Sequence, residues 1–137
     1  MSAPLLEVND LKKYFDAGSG LLRLNRARVY AVDGVSFSID RGETLALVGE
    51  SGCGKSTVGR CILRLVDLTD GQVSLAGQRI DDMASGTLRP LRRRIQVVFQ
   101  DPFSSLNPRM RVKQLLAEPI RNFGLARSAQ GQCVAFQ

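Results

Sequence analysis

Between residues 44 and 57 the chain reads Thr44-Leu45-Ala46-Leu47-Val48-Gly49-Glu50-Ser51-Gly52-Cys53-Gly54-Lys55-Ser56-Thr57. Thr44 to Val48 is a continuous apolar run, as in a strand buried on both faces. Gly49 to Gly54 is a glycine-rich turn. Lys55 to Leu65 then reads as a helix with Val58, Ile62 and Leu65 on one face. The turn matches G-x-x-x-x-G-K-[ST], the Walker A pattern. Each part has a physical reason. Glycines at 49, 52 and 54 let the backbone curl with positive φ and approach a ligand closely. The curl, running through Glu50, Ser51 and Cys53, turns consecutive N–H groups inward as an anion nest. The helix beginning near Lys55 aims its positive dipole end at the same spot. Lys55 supplies a point charge for β- and γ-phosphates, the Ser56 hydroxyl a place on Mg²⁺, and Thr57 a contact on the α-phosphate side. Cys53 reads as a spectator in the loop. A redox-sensing thiol is the alternative, and nothing else in the sequence supports it.

Composition bounds the rest. At 137 residues the chain is one domain at most. With 44% apolar residues and a mean hydropathy of −0.05, it has ordinary soluble globular composition. No apolar run approaches the roughly 18 residues of a membrane span. Met1 to Asp10 has neither the basic start nor the apolar core of a secretory signal. These features predict a cytosolic chain. There is no histidine, which excludes Ser-His-Asp and Cys-His catalysis and every His-ligated metal site. Cys53, Cys61 and Cys133 form no Cys-x-x-Cys pair and no disulfide framework. The net charge is +6, and all of the excess falls in the second half, where residues 71–137 hold 10 basic and 4 acidic side chains.

The remaining elements follow from periodicity and punctuation. Leu5 to Phe15 begins as a strand, and Asp16 to Gly20 is a loop by composition. Leu21 to Arg28 reads as a surface insertion. Val35, Phe37 and Ile39 alternate with polar residues, predicting a strand with one wet face. Asp70-Gly71 is a turn, Gln72 to Ala76 a short strand, and Gly77 turns it back toward Ile80. Asp81 to Arg94 predicts a short helix broken at Pro90. Ile95 to Phe99 reads as a second buried strand. A proline-containing loop follows, and then a helix over Val112 to Phe123, bent or shortened at Pro119 and stopped by Gly124.

With these residues in place, the chain resembles the ATP-binding subunits of ABC transporters. Leu45 to Thr57 is similar to that family's Walker A segment, and Ile95-Gln96-Val97-Val98-Phe99-Gln100-Asp101-Pro102 to its Q-loop. Ala31 to Ile39, Leu88 to Arg94 and Gln100 to Arg109 are similar to the oligopeptide and dipeptide importer branch. The resemblance implies an α/β fold, a P-loop NTPase core with a small antiparallel β-subdomain, ligated by ATP and Mg²⁺. It makes residues 1–127 the N-terminal part of an ATP-binding domain, with 128–137 an unpatterned tail. It gives Tyr14 the role of stacking on adenine, with Tyr30 the competing candidate and a plain strand-face aromatic the bland alternative. Gln100, with Ser56, becomes a candidate Mg²⁺ contact. The loop over 101–111, with Phe103, Leu106 and Met110, becomes a docking surface for a transmembrane permease subunit; a local mini-core under the loop is the alternative. A homologous ATP-binding subunit and, indirectly, an extracytoplasmic peptide-binding protein are the further implied partners. The implied location is cytoplasmic, peripheral on the inner face of the cell membrane.

The same resemblance shows what this sequence does not carry. There is no Leu-Ser-Gly-Gly-Gln signature, no Asp-Glu dipeptide closing a Walker B strand, and no switch histidine. Phosphoryl transfer depends on several such groups acting together. No catalytic residue is assigned, and the chain is predicted to bind nucleotide without turnover. The missing motifs predict the N-terminal part of a longer ATPase, a non-hydrolysing nucleotide-binding stub being the alternative. They also predict that Thr44 to Val48 lacks a neighbouring strand, an edge prone to aggregation. A nucleic-acid binder built on Arg89, Arg92, Arg93, Arg94, Arg109 and Arg111 is disfavoured. Aromatic residues are 6% of the chain, tryptophan is absent, and no recognition motif accompanies the charge.

Overall fold

A computed structural model describes residues 3–17, 27–101, 103 and 105–124. They fall into two compact units, Met1–Leu88 and Arg89–Gln137. The predicted insertion lies mostly outside the described residues, as do Cys133 and the 128–137 tail.

The first unit is built on a four-stranded antiparallel sheet in the order β2-β1-β3-β4. Its strands are β1 (Leu6–Ala17), β2 (Ala27–Ile39), β3 (Asp70–Leu75) and β4 (Gln78–Arg79). The long strands are not regular. Leu6 to Val8 pair with Ile39 to Phe37, but Leu11 then pairs with Val35. One extra residue therefore sits in β1 around Asn9 and Asp10. In an unbroken strand, residues three apart face opposite sides. The bulge restores them to one side, and both Val8 and Leu11 are fully buried. Ser36 Oγ accepts a 2.8 Å hydrogen bond from the Asp10 N–H. The Asp10 carbonyl comes so close to β3 that a Cβ on Gly71, at φ 95°, would lie 2.4 Å from it.

β3 and β4 form a hairpin whose turn residues, Ala76 and Gly77, have φ of 49° and 77°. This is the primed geometry that suits strand twist. Asp81 locks the hairpin. Its carboxylate accepts hydrogen bonds from the Val73 N–H at 2.9 Å and from the Arg79 guanidinium at 2.8 Å. Burial opposes ionisation of Asp81, but these two donors outweigh it and hold the carboxyl below its usual range.

One helix, α1 (Lys55–Ile62), packs on β1 and β2. Val58 and Cys61 are its buried residues. Leu65, predicted on that face, lies beyond the helix and is half exposed. The core of this unit is Val8, Leu11, Val32, Val58, Cys61, Val73, Leu75, Ile80 and Leu88. Each fully buried Val or Leu contributes about 1.5–3 kcal/mol.

A short helix, α2 (Ser85–Leu91), runs through Pro90 rather than breaking at it. The second unit carries α3 (Val112–Asn122), which likewise continues through Pro119. Its C-cap is Phe123, with Gly124 at φ 64° immediately beyond. Arg111 at its N-cap receives the Gln114 side chain on its backbone N–H at 2.9 Å.

Two predicted strands are corrected. Neither Thr44–Val48 nor Ile95–Phe99 is extended into a sheet. Leu45, Leu47 and Val48 are 41%, 44% and 91% exposed, and Val97, Val98 and Phe99 are 44%, 88% and 50% exposed. A strand exists through its ladder of partners, and no described strand pairs with either run.

Candidate functional site

The predicted phosphate loop joins the exposed run 44–48 to α1. Gly54 caps α1 in the left-handed region at φ 94°, with no side chain bonding the first amides of the helix. Those amides are the donors that a helix start leaves without an internal partner. A side chain cannot replace the Gly54 hydrogen. An added Cβ would lie 2.2 Å from the Ala31 carbonyl oxygen and 3.5 Å from Val32. The loop is therefore pressed against β2 at that point.

Lys55 folds back over the loop. Its Nζ donates to the Gly49 carbonyl at 2.7 Å, to the Glu50 carbonyl at 2.6 Å and to Cys53 Sγ at 3.3 Å. Glu50, Ser51, Gly52, Cys53 and Ser56 are exposed, and Thr57 is half-buried at the first turn of the helix. Among the described residues no group of three or more His, Cys, Asp or Glu side chains is placed to hold a metal.

Tyr14 and Tyr30, read from sequence as alternatives, stand directly opposite each other in the β1–β2 pair. Their rings meet edge to face, with centroids 4.5 Å apart. The Tyr14 hydroxyl donates a 2.6 Å hydrogen bond to Asp33 Oδ1, and the Tyr14 N–H donates to Thr69 Oγ1 at 2.9 Å. The bond to Asp33, reinforced by partial burial, raises the phenol above its ordinary range. Asp33 was not singled out by the sequence, because its contact depends on irregular strand register that no local pattern announces.

Gln100 belongs to the second unit, where it is exposed just after the 95–99 run. In the following loop Phe103 is 85% exposed and Leu106 49% exposed, so neither forms the mini-core. Met110 is half-buried. Local turns hold the loop: Asp101 accepts from the Phe103 N–H at 3.1 Å, and Asn107 Oδ1 from the Arg109 N–H at 3.0 Å. Among the described residues, no helix is long and apolar enough to cross a membrane.

The oligopeptide transport ATP-binding protein AppF of Bacillus subtilis is 50% identical over 122 residues, which is 88% of this chain and 37% of AppF. A probable peptide ABC transporter ATP-binding protein of Sinorhizobium fredii, y4tS, is 47% identical over 98% of this chain and 38% of its own length. The glutathione import ATP-binding protein GsiA of Escherichia coli is 50% identical over 89% of this chain and 20% of itself. The chain thus spans well under half of the relatives it matches. Among solved structures, the dimeric ATP-binding cassette MJ0796 in a post-hydrolysis state bound to ADP and Pi superposes with a TM-score of 0.74 at 25% identity, covering 93% of this chain and 52% of that one. A family profile described as "ABC transporter" matches residues 32–135. With its antiparallel sheet, glycine loop and adjoining helix, the chain belongs to the ABC transporter ATPase family.

Proposed function

We propose that this chain is the N-terminal part of the ATP-binding subunit of an importer that energises uptake of oligopeptides or dipeptides. One observation carries the nucleotide reading: Lys55 lies folded over a glycine loop at the uncapped start of α1. That arrangement gathers an ammonium, free amides and a helix dipole at one point, as phosphate binding requires. The peptide class rests on the likeness to AppF and y4tS.

In this reading, Mg-ATP is held by Gly49, Glu50, Ser51, Gly52, Cys53, Gly54, Lys55, Ser56 and Thr57, with Tyr14 against the base. The Ser56 hydroxyl is the oxygen ligand this unit offers to Mg²⁺. Bound Mg²⁺ would neutralise charge on the β- and γ-oxygens. The exposed Phe103 and Leu106 face a transmembrane permease subunit at the inner face of the cell membrane. A homologous ATP-binding subunit completes the working pair. The Leu-Ser-Gly-Gly-Gln, Asp-Glu and histidine groups that complete turnover in the family are not in this sequence, so this chain binds without hydrolysing.

The test is a thermal melt with and without Mg-ATP. The wild-type chain is expected to gain several degrees at saturating ligand, and Lys55→Ala to gain almost nothing. Equal shifts in the two would sink the assignment, as would Lys55-dependent phosphate release from the pure chain for its binding-only part.

A further inference from the structure

The second unit, Arg89–Gln137, carries charge almost entirely of one sign. It holds 9 basic and 2 acidic side chains, against 10 and 11 in residues 1–88. Four of its arginines crowd the end of α2. Arg89 lies in the last turn of that helix, and Arg92, Arg93 and Arg94 follow on the turn that closes it. Two hydrogen bonds pin the turn: the Arg94 N–H donates to the Leu91 carbonyl at 2.8 Å, and the Gln96 side-chain amide to the Arg92 carbonyl at 2.8 Å. The Arg89 guanidinium donates to the Asn122 carbonyl at 3.4 Å, which brings in Arg121 from the last turn of α3. All five arginines are exposed. Among the described residues, Arg92, Arg93 and Arg94 form no ion pair. Of the two acids, Asp101 accepts from the Phe103 N–H in its own loop, and Glu118 lies within α3. An ordinary protein surface intersperses both signs. Like charges held this close repel one another, a cost to the compact state that an anionic surface removes.

We infer that this arginine cluster is a contact site for anionic phospholipid headgroups, by which the chain lies against a bilayer surface without crossing it. The chemistry of the cluster favours that partner. A guanidinium is a planar fork that pairs phosphate oxygens bidentately and gives up its water more readily than an ammonium. Clusters of about four to eight cations are what the negative surface potential of a cytoplasmic leaflet attracts. Binding of single-stranded nucleic acid calls for aromatic rings on which bases stack, and residues 89–94 hold none. The choice of a membrane rests on the importer reading above, which puts the chain at the inner face of the cell membrane. The contact is with lipid itself, separate from the loop that carries Phe103 and Leu106.

Flotation of the full chain with vesicles tests this, because bound protein rises with the lipid and aggregates sink. The vesicles are phosphatidylcholine alone or phosphatidylcholine mixed with phosphatidylglycerol. The wild-type chain is expected to float with the mixed vesicles, to stay behind with the neutral ones, and to lose binding as salt rises. Arg92→Gln with Arg93→Gln should weaken binding by about tenfold or more, each arginine being worth about fivefold. Arg92→Lys with Arg93→Lys keeps the charge and loses the fork, so it should lie between that variant and wild type. Arg41→Gln with Arg60→Gln removes two exposed arginines of the first unit and should leave binding within about twofold. Equal flotation with neutral vesicles overturns the site, since insertion of apolar side chains would then suffice. Equal losses in the two glutamine variants overturn it in favour of net charge alone. A lysine variant as weak as its glutamine counterpart overturns it too. Tighter binding to a single-stranded RNA oligonucleotide than to mixed vesicles at the same salt overturns the lipid partner. The Mg-ATP thermal shift, read in parallel, separates this inference from the reading it rests on. Vesicle binding absent with the shift present overturns the lipid site alone. The shift absent with arginine-dependent vesicle binding present overturns the nucleotide reading alone.

Discussion

Cys53 and Cys61 belong to one loop and its helix but to opposite surroundings. Cys53 is exposed beside Lys55, whereas Cys61 is fully buried against the sheet. Burial pushes the Cys61 thiol up, away from the reactive thiolate. Brief iodoacetamide treatment of the native chain should label Cys53 and spare Cys61, read by peptide mass mapping, and a chain that labels both equally lacks this core. Asp81 offers a second test at the same scale. Its folded-state carboxyl is depressed, so its stabilisation is present above the unfolded carboxyl's range near 4 and is lost as pH falls through the lower folded value. Its side chain is 7% exposed. Asp81→Ala leaves the buried Val73 N–H without this acceptor and should cost about 1–3 kcal/mol at neutral pH. The gap between variant and wild type should narrow on acidification in urea melts followed by circular dichroism.

Among the elements, what the sequence could announce and what it could not divide cleanly. Val35, Phe37 and Ile39 alternate and lie in β2, and Gly77 turns β3 into β4, but β3 begins at Asp70, where a turn was predicted, and β2 begins at Ala27, inside the predicted insertion. The turn before α1 and the helix start at Lys55 were legible, since the positive φ at Gly52 and Gly54 favours glycine. Three register shifts in the β1–β2 pair were not legible, because a bulge is chosen by contacts across strands. Asp33, and the pairing of Tyr14 with Tyr30, were hidden for that reason. Thr44 to Val48 and Ile95 to Phe99 failed differently. Their β-propensity is real, but propensity does not supply a neighbour to bond. The prolines at 90 and 119 sit inside helices that tolerate a lost amide donor near an end. Gly54→Ala tests the join between loop and sheet. It adds a methyl group against the Ala31 carbonyl and strains a left-handed φ, which should cost about 1–3 kcal/mol or more in chemical denaturation. A neutral substitution would mean the loop does not touch β2.

At the scale of the whole molecule, the exposed apolar runs at 45–48 and 97–99 govern behaviour in solution. Unpaired apolar segments of high β-propensity are templates for association. The chain should elute above its monomer mass of 15.0 kDa at raised concentration. Val48→Lys combined with Val98→Lys, at residues 91% and 88% exposed, should shift it toward monomer in light scattering without changing the melting of the first unit. An unchanged oligomer distribution would assign association to another surface.

The hold of Lys55 on Gly49, Glu50 and Cys53 has an entropic consequence. An ammonium has three protons to donate, and here each has an acceptor before any ligand arrives. A free lysine side chain carries about 2 kcal/mol of rotamer entropy, and in this chain that disorder is surrendered during folding. An incoming polyanion therefore meets a charge already parked at the mouth of the loop, and its binding is spared the loss of that freedom.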